Sequence, residues 1–530
     1  YGDPLSDPQA DPLPEGLLAR YADRGITGVW LPVTLHRLCP IPGAGPELSD
    51  GWDRRLIQLR ALAERTRRHG IGLYLYLNEP RGLSAAGFRG LESWKGVEEK
   101  KTGNFAFCTS NPETLEYVKA ACSRVFKAAP ALAGAFTISM SENLTHCHSR
   151  WNGSGCPRCA NRPVPEVVAE VNRHIEEGIH AVAPDARVIV WTWAWDPAWA
   201  PGAVDLLPDS VDLMCVSEWG KKLSIGGVAN RVVDYSISQP GPSEETVALW
   251  EHAARRGLRT LAKVQFNTCW ECSAVPYIPV PYLVQEHLDG LRSSGVSGLL
   301  LSWTLGGYPG GNLDLLETTP EELSRRLYGS VAPDVQQAWR TFGEAFREFP
   351  FQVEVLYNSP HNLGPANLLF AEPTGYASSL VGFPYDDLSH WRGAYPEDLF
   401  ESQFRKVSEG WAEGLDGLRR AEPRVESRHE SEFQALMRIA TAVYSHFRSA
   451  YLQIRFIRLR ADPSAEARDA IRKVLEEERQ LARTLAHAAA QDSTLGFEAT
   501  NHYAYTQNDL KEKVLNCCYL LESLKKGTPS

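Results

Sequence analysis

The sequence predicts an α/β fold, a (β/α)8 barrel of the TIM type, followed by a C-terminal α-helical domain. Three observations carry this. Apolar runs of strand length alternate with amphipathic helical patterns through the first part of the chain, and strict alternation implies a parallel sheet with right-handed crossovers. Several runs are almost continuously apolar, as expected of strands covered on both faces. From about residue 320 the pattern changes to charged, helix-forming segments. The expected division is a barrel over residues 1–320 and a helical domain over 321–530, since 530 residues exceed one ordinary core.

Taken in order, residues 14–23 read as helix and 25–33 as the first visible strand. A helix follows at 53–68, where Leu56, Leu59, Leu62 and Ala63 fall at helical spacing. The strand at 70–80 ends in Asn78-Glu79-Pro80, and a helix at 112–127 leads into the run 134–142, which ends in Glu142. A helix from 165 to about 183 feeds the aromatic strand 187–195, whose alternation sets Trp191, Trp193 and Trp195 on one side, the deeper ones as core and Trp195 at the rim. The remaining strands are 211–219, 258–268 and 296–304, with helices at 243–256 and 281–294 between them. That makes seven strands, one short of a closed barrel. The simplest expectation is that the first strand lies upstream of Tyr1; the alternative is that 351–357 closes the barrel. The helical domain is read as 332–348, 398–421, 428–459, 464–490 and 507–526. A loop at 496–505 crowds polar and aromatic groups, among them Asn501 and His502, which read as structural.

Composition narrows the function. A net charge of −10 argues against nucleic acid as the main partner. No apolar run approaches the roughly 18–20 residues that span a bilayer, so no membrane role is expected. Eleven cysteines, several inside predicted elements (Cys122, Cys215, Cys517, Cys518), behave as small hydrophobes and point to a cytoplasmic, reducing setting. A secreted or periplasmic origin fits if a leader has been removed. No glycine-rich phosphate loop follows a strand, so no nucleotide site is expected.

Four glutamates fall at or just beyond strand ends: Glu79, Glu142, Glu218 and Glu271. Taken singly, each reads as a surface residue. Together they sit beside Asn78, Asn143, Trp219 and Trp270, with Trp195 and Trp303 at two other strand ends. In a barrel of this kind chemistry occurs at the C-terminal rim. Carboxylates beside indoles suit a carbohydrate, whose apolar ring face stacks while its hydroxyls take hydrogen bonds.

This layout resembles the (β/α)8 glycoside hydrolases, above all the retaining clan with an acid/base glutamate after strand 4 and a nucleophile after strand 7. The resemblance implies Glu142 as acid/base, Glu271 as nucleophile and Trp303 as an aromatic platform; Asn78, Glu79, Asn143, Trp195, Glu218, Trp219 and Trp270 become substrate contacts. In that clan Asn precedes the acid, whereas here Ser141 precedes and Asn143 follows. Asn-Glu-Pro occurs instead at Asn78–Pro80, which makes Glu79 the rival acid. A second resemblance is to hexosaminidase-like barrels, which use the substrate's acetamido group as nucleophile and place Asp before the acid. Ser141 stands there in this chain, so Glu218 would have to take that role. Long loops able to wall off one end of a cleft suggest exo action. A non-catalytic carbohydrate-binding barrel is the rival from another class.

The insertion after Glu142 carries His146-Cys147-His148 and Cys156-Pro-Arg-Cys159. Cys147, Cys156 and Cys159 with His146, or with Cys108 from the preceding loop, have the spacing of a structural zinc site. The other readings are reduced thiols or a disulfide. Cys269 and Cys272 bracket Glu271 and read as packing, with a second metal contact as the alternative. No cofactor is expected for catalysis itself.

Overall fold

The computed structural model describes residues 3–7, 9–358, 360–378, 386–497 and 504–526. Asn501 and His502 lie outside the described residues. The chain divides into two compact units. The first comprises Tyr1–Val216, Glu245–Ala262 and Val296–Leu299; the second comprises Ser217–Glu244, Lys263–Gly295 and Leu300–Ser530.

The central element is a curled seven-stranded sheet: β1 (Gly28–Val33), β2 (Gly72–Leu77), β3 (Leu132–Ile138), β4 (Arg187–Trp191), β5 (Asp212–Val216), β6 (Arg259–Lys263) and β7 (Gly298–Leu300). Its spatial order is the chain order, and the pairs β1–β2, β2–β3, β3–β4 and β4–β5 are parallel. Every residue of β5 is buried, and after Asp212 the strand is an unbroken apolar run. Residues 351–357 do not supply an eighth strand: Val353–Asn358 is a helix.

Helices follow the strands at the expected places, including Trp52–Arg68, Pro112–Ala128, Val164–His180 and Pro281–Ser293. The predicted stripe Leu56, Leu59, Leu62 and Ala63 is the buried face of the first of these. On the sheet, Trp30, Tyr76 and Phe136 pack together, with Tyr76 and Phe136 stacked at 5.3 Å because the register sets them directly opposite. Trp191 continues the row at 6.2 Å from Phe136.

The N-terminal ends of β4, β5 and β6 are joined by charge. Asp212, almost fully buried, accepts from Arg187 Nε at 2.8 Å and from Arg259 Nε at 2.7 Å. Gly134 in β3 allows β4 to approach: a Cβ there would lie 2.1 Å from the Arg187 carbonyl oxygen.

Two small sheets are absent from the sequence reading. Leu83–Ser84, Asn104–Phe107 and Lys95–Glu99 form one in the connection after β2, and Lys222–Ile225 with Val228–Arg231 forms a hairpin after β5. The second unit is mainly helical, with long helices Glu397–Ala421, Glu430–Leu459 and Ala465–Gln491. Phe342 stacks on Trp411 at 4.3 Å in its core, and a fully buried ion pair joins Lys513 to Glu478 at 3.1 Å.

Candidate active site

The predicted strand ending in Glu142 stops earlier, at Ile138. Glu142 lies four residues on, in a turn where Ser141 has φ 70°. That conformation is uncommon for a residue with a Cβ, and hydrogen bonds hold it. Ser141 N donates to Ser149 O at 2.9 Å, and Arg150 Nη2 donates to Glu142 O at 3.3 Å. The Glu142 side chain is half-buried beside Tyr76, Trp193, Arg81 and Arg150. Burial raises its carboxyl above the ordinary value; the Arg150 charge, a hydrogen bond from Trp193 and the Arg81 charge oppose this. Asn143 is half-buried next to it.

Asn78 and Glu79 turn inward. Asn78 Nδ2 donates to Ile138 O at 2.6 Å, tying the end of β2 to the end of β3. Glu79 is 3% exposed, and its two oxygens accept from Leu35 N and Arg81 N, both at 2.8 Å. Burial pushes its carboxyl up to about 7. Trp195 is 4% exposed and donates to Ser139 Oγ at 3.3 Å. The expected alternation of indoles fails because β4 ends at Trp191 and Ala194 takes φ 58°. Trp193, which the sequence reading treated as core, is the half-exposed indole at Glu142.

In the second unit, Glu218 stands two residues beyond β5. It is fully buried, with Oε2 accepting from Ser217 Oγ at 2.7 Å and Oε1 from Ser236 N at 3.0 Å. Lys263, also fully buried, sits 4.2 Å over the Tyr235 ring and donates to Val264 O and Gln265 Oε1 at 2.6 and 2.8 Å. Burial raises the Glu218 carboxyl and lowers the Lys263 ammonium, and each charge restrains the shift of the other. Lys263 and Tyr235 were not singled out in the sequence; a lysine at the end of an apolar strand, Leu261-Ala262-Lys263, was the available signal.

Glu271, eight residues beyond β6, is surrounded by donors. Ser236 Oγ and Ser238 Oγ donate to Oε1 at 2.8 and 2.5 Å. Ile237 N, Ser238 N and Cys269 Sγ donate to Oε2 at 2.7, 3.1 and 3.1 Å. The side chain is fully buried. Burial raises its carboxyl, and the hydrogen bonds oppose that rise. Trp219, Trp270 and Trp303 are half-exposed in the connections after β5, β6 and β7, with Trp270 edge-on to Tyr357 at 5.9 Å.

Of the predicted metal ligands, Cys147, Cys156 and Cys159 come together, and the fourth member is Cys108. His146 is buried outside this group; its Nδ1 accepts from His148 N at 3.2 Å. Among the described residues, no group of three or more metal-ligand side chains includes Cys269 or Cys272.

No protein-family model matches the sequence, and no curated protein matches it. Among solved structures, a GH138 enzyme targeting pectin rhamnogalacturonan II aligns with a TM-score of 0.54 and 11% identity, over 97% of this chain and 64% of its own. The fold is shared with that enzyme. A family 89 glycoside hydrolase from Clostridium perfringens, in complex with GlcNAc-alpha-1,4-galactose, gives 0.49 and 10% identity over 95% of this chain and 60% of its own. The chain thus spans somewhat under two thirds of the length of both. The barrel expectation is met in the curled parallel sheet and the helical C-terminal region.

Proposed function

We propose that this chain is a glycosidase that cleaves a glycosidic bond with Glu142 as general acid/base. The observation that carries this reading is the setting of Glu142: a half-buried carboxyl, biased by burial towards its protonated form, in the turn after a parallel strand. A leaving-group oxygen needs such a proton donor. Shared fold with a pectin-targeting enzyme supports the reading, as do half-exposed indoles in the connections after β5, β6 and β7.

A nucleophilic carboxylate must be ionised and able to present a lone pair. Glu218 meets fewer donors than Glu271, and burial raises its carboxyl to about 7. It follows its strand by two residues rather than eight, accepts from Ser217 and Ser236 through one oxygen each, and has the Lys263 charge nearby. Glu271 meets five donors, and a carboxylate offers about four lone-pair sites. In this proposal Glu271 anchors residues 236–238, and the enzyme is retaining, with exo action on a terminal sugar. The eleven unpaired cysteines support a cytoplasmic setting. Among the described residues no helix is long and apolar enough to cross a membrane.

The test is a panel of aryl glycosides with wild type and Glu142→Gln. General acid catalysis contributes about 10²–10⁴-fold, so turnover should fall by that range, and least for sugars with an acidic leaving group. Wild type that binds oligosaccharides and turns over none of the panel would make the chain a binding barrel. Turnover confined to N-acetylated sugars would favour substrate assistance.

A further inference from the structure

We propose that Cys108, Cys147, Cys156 and Cys159 hold a structural zinc ion that fixes the turn carrying Glu142. The proposal stands on the sulfur geometry and is independent of the glycosidase reading.

Four thiolates around zinc, each at about 2.3 Å, place their sulfurs at tetrahedron edges of about 3.8 Å. Cys108 Sγ lies 3.7 Å from Cys156 Sγ and 3.6 Å from Cys159 Sγ, and all four sulfurs lie within 4.8 Å of one another. A disulfide would hold two of them at about 2.05 Å, and all four cysteines are free. None is more than 3% exposed. The backbone around them is shaped for close approach. Gly96 faces Cys147, where a Cβ would lie 2.6 Å from the sulfur. Cys156 and Cys159 share a tight turn, with Cys159 N and Ala160 N both donating to Cys156 O at 3.1 and 2.8 Å. Ser110 Oγ, 3.2 Å from Cys159 Sγ, is placed to donate to a thiolate.

Four sulfurs select a soft, tetrahedral ion, and a closed protein ligand set leaves no position for substrate or water. The role is therefore mechanical. Cys108 immediately follows the strand Asn104–Phe107, while the other three ligands lie in the insertion after Glu142. One ion would clamp that insertion to the small sheet. Residues next to the ligands reach the turn directly: Ser149 O receives Ser141 N, and Arg150 donates to Glu142 O while pairing with Glu99 at 3.3 Å.

The full chain, purified under reducing conditions without chelator, should carry one zinc per chain by elemental analysis. Cobalt(II) exchanged into it should give sulfur-to-metal charge-transfer absorption and the visible bands of a tetrahedral site. Cys108→Ser and Cys159→Ser should each lose the metal, and His146→Ala should keep it. Stripping the metal should make amides of residues 141–162 exchange about tenfold faster, because local opening is no longer opposed by the clamp. Wild type that takes up neither zinc nor cobalt when reduced overturns the proposal. So does stoichiometric zinc in the Cys108→Ser/Cys159→Ser double variant. If the serine variants do not fold, the cobalt spectrum of wild type alone decides.

Discussion

Replacing Glu271 separates an anchor from a nucleophile. In Glu271→Ala, the hydroxyls of Ser236 and Ser238, 3.3 Å apart, can turn towards each other, and the Cys269 thiol is a weak donor. The amides of Ile237 and Ser238 have no such freedom. Each buried N–H left without an acceptor costs about 1–3 kcal/mol, so the alanine variant should lose about 2–6 kcal/mol. In Glu271→Gln the amide oxygen can keep both backbone N–H groups while its NH2 faces the two hydroxyls, which can become acceptors. The loss is then mainly the difference between hydrogen bonds to a charged and a neutral acceptor, about 1–3 kcal/mol. Urea denaturation followed by tryptophan fluorescence should rank the midpoints wild type, Gln, Ala, and the folded Gln variant should retain turnover. A Gln variant as stable as wild type but inactive, with azide restoring product as a glycosyl azide, would refute the anchor role and return Glu271 to the attack.

Three further outcomes follow from the same contacts. Loss of the Glu142 proton should set the alkaline limb of kcat/KM; because the Arg150 and Arg81 charges lower that carboxyl's pKa, Arg150→Ala and Arg81→Ala should move the limb to higher pH, and a downward move would contradict the reading. The Glu79 carboxyl is raised from 4.5 to about 7, so the folded state holds its proton where the unfolded chain has released it, and stability should fall between those pH values by about 3 kcal/mol. Glu79→Gln should flatten that slope in denaturation measured at pH 5 and pH 8 (roughly the ends of the window). Gly134→Ala places a Cβ 2.1 Å from Arg187 O and should split β3 from β4, seen as loss of cooperative unfolding; a variant with the wild-type midpoint would show that the strands can shift apart.

The strands and helices were legible because burial writes a period into the chain. The run at 213–216 is apolar throughout and buried throughout, and Leu56, Leu59 and Leu62 mark their helix face. The thiol knuckle was legible from its spacing, whereas the strand expected to end in Glu142 stops four residues before it. The rest depends on tertiary placement. Nothing local to Trp-Thr-Trp-Ala-Trp announces that Ala194 turns the chain, burying Trp195 and leaving Trp193 to Glu142. Glu271 stood out by its place after a strand, but nothing near it announces that residues 236–238, more than thirty positions earlier in the chain, deliver their donors to it. Cys108 was an alternative to His146, and proximity in space alone separates them.

The two arginines gripping Asp212 brace three neighbouring strands at the ends where the chain enters them. Register there is held without help from whatever leaves the opposite ends. The segments after those strands are therefore free to lengthen or exchange residues while the sheet stays in step, so a lineage built on this scaffold can change what those segments bind without first rebuilding its foundations.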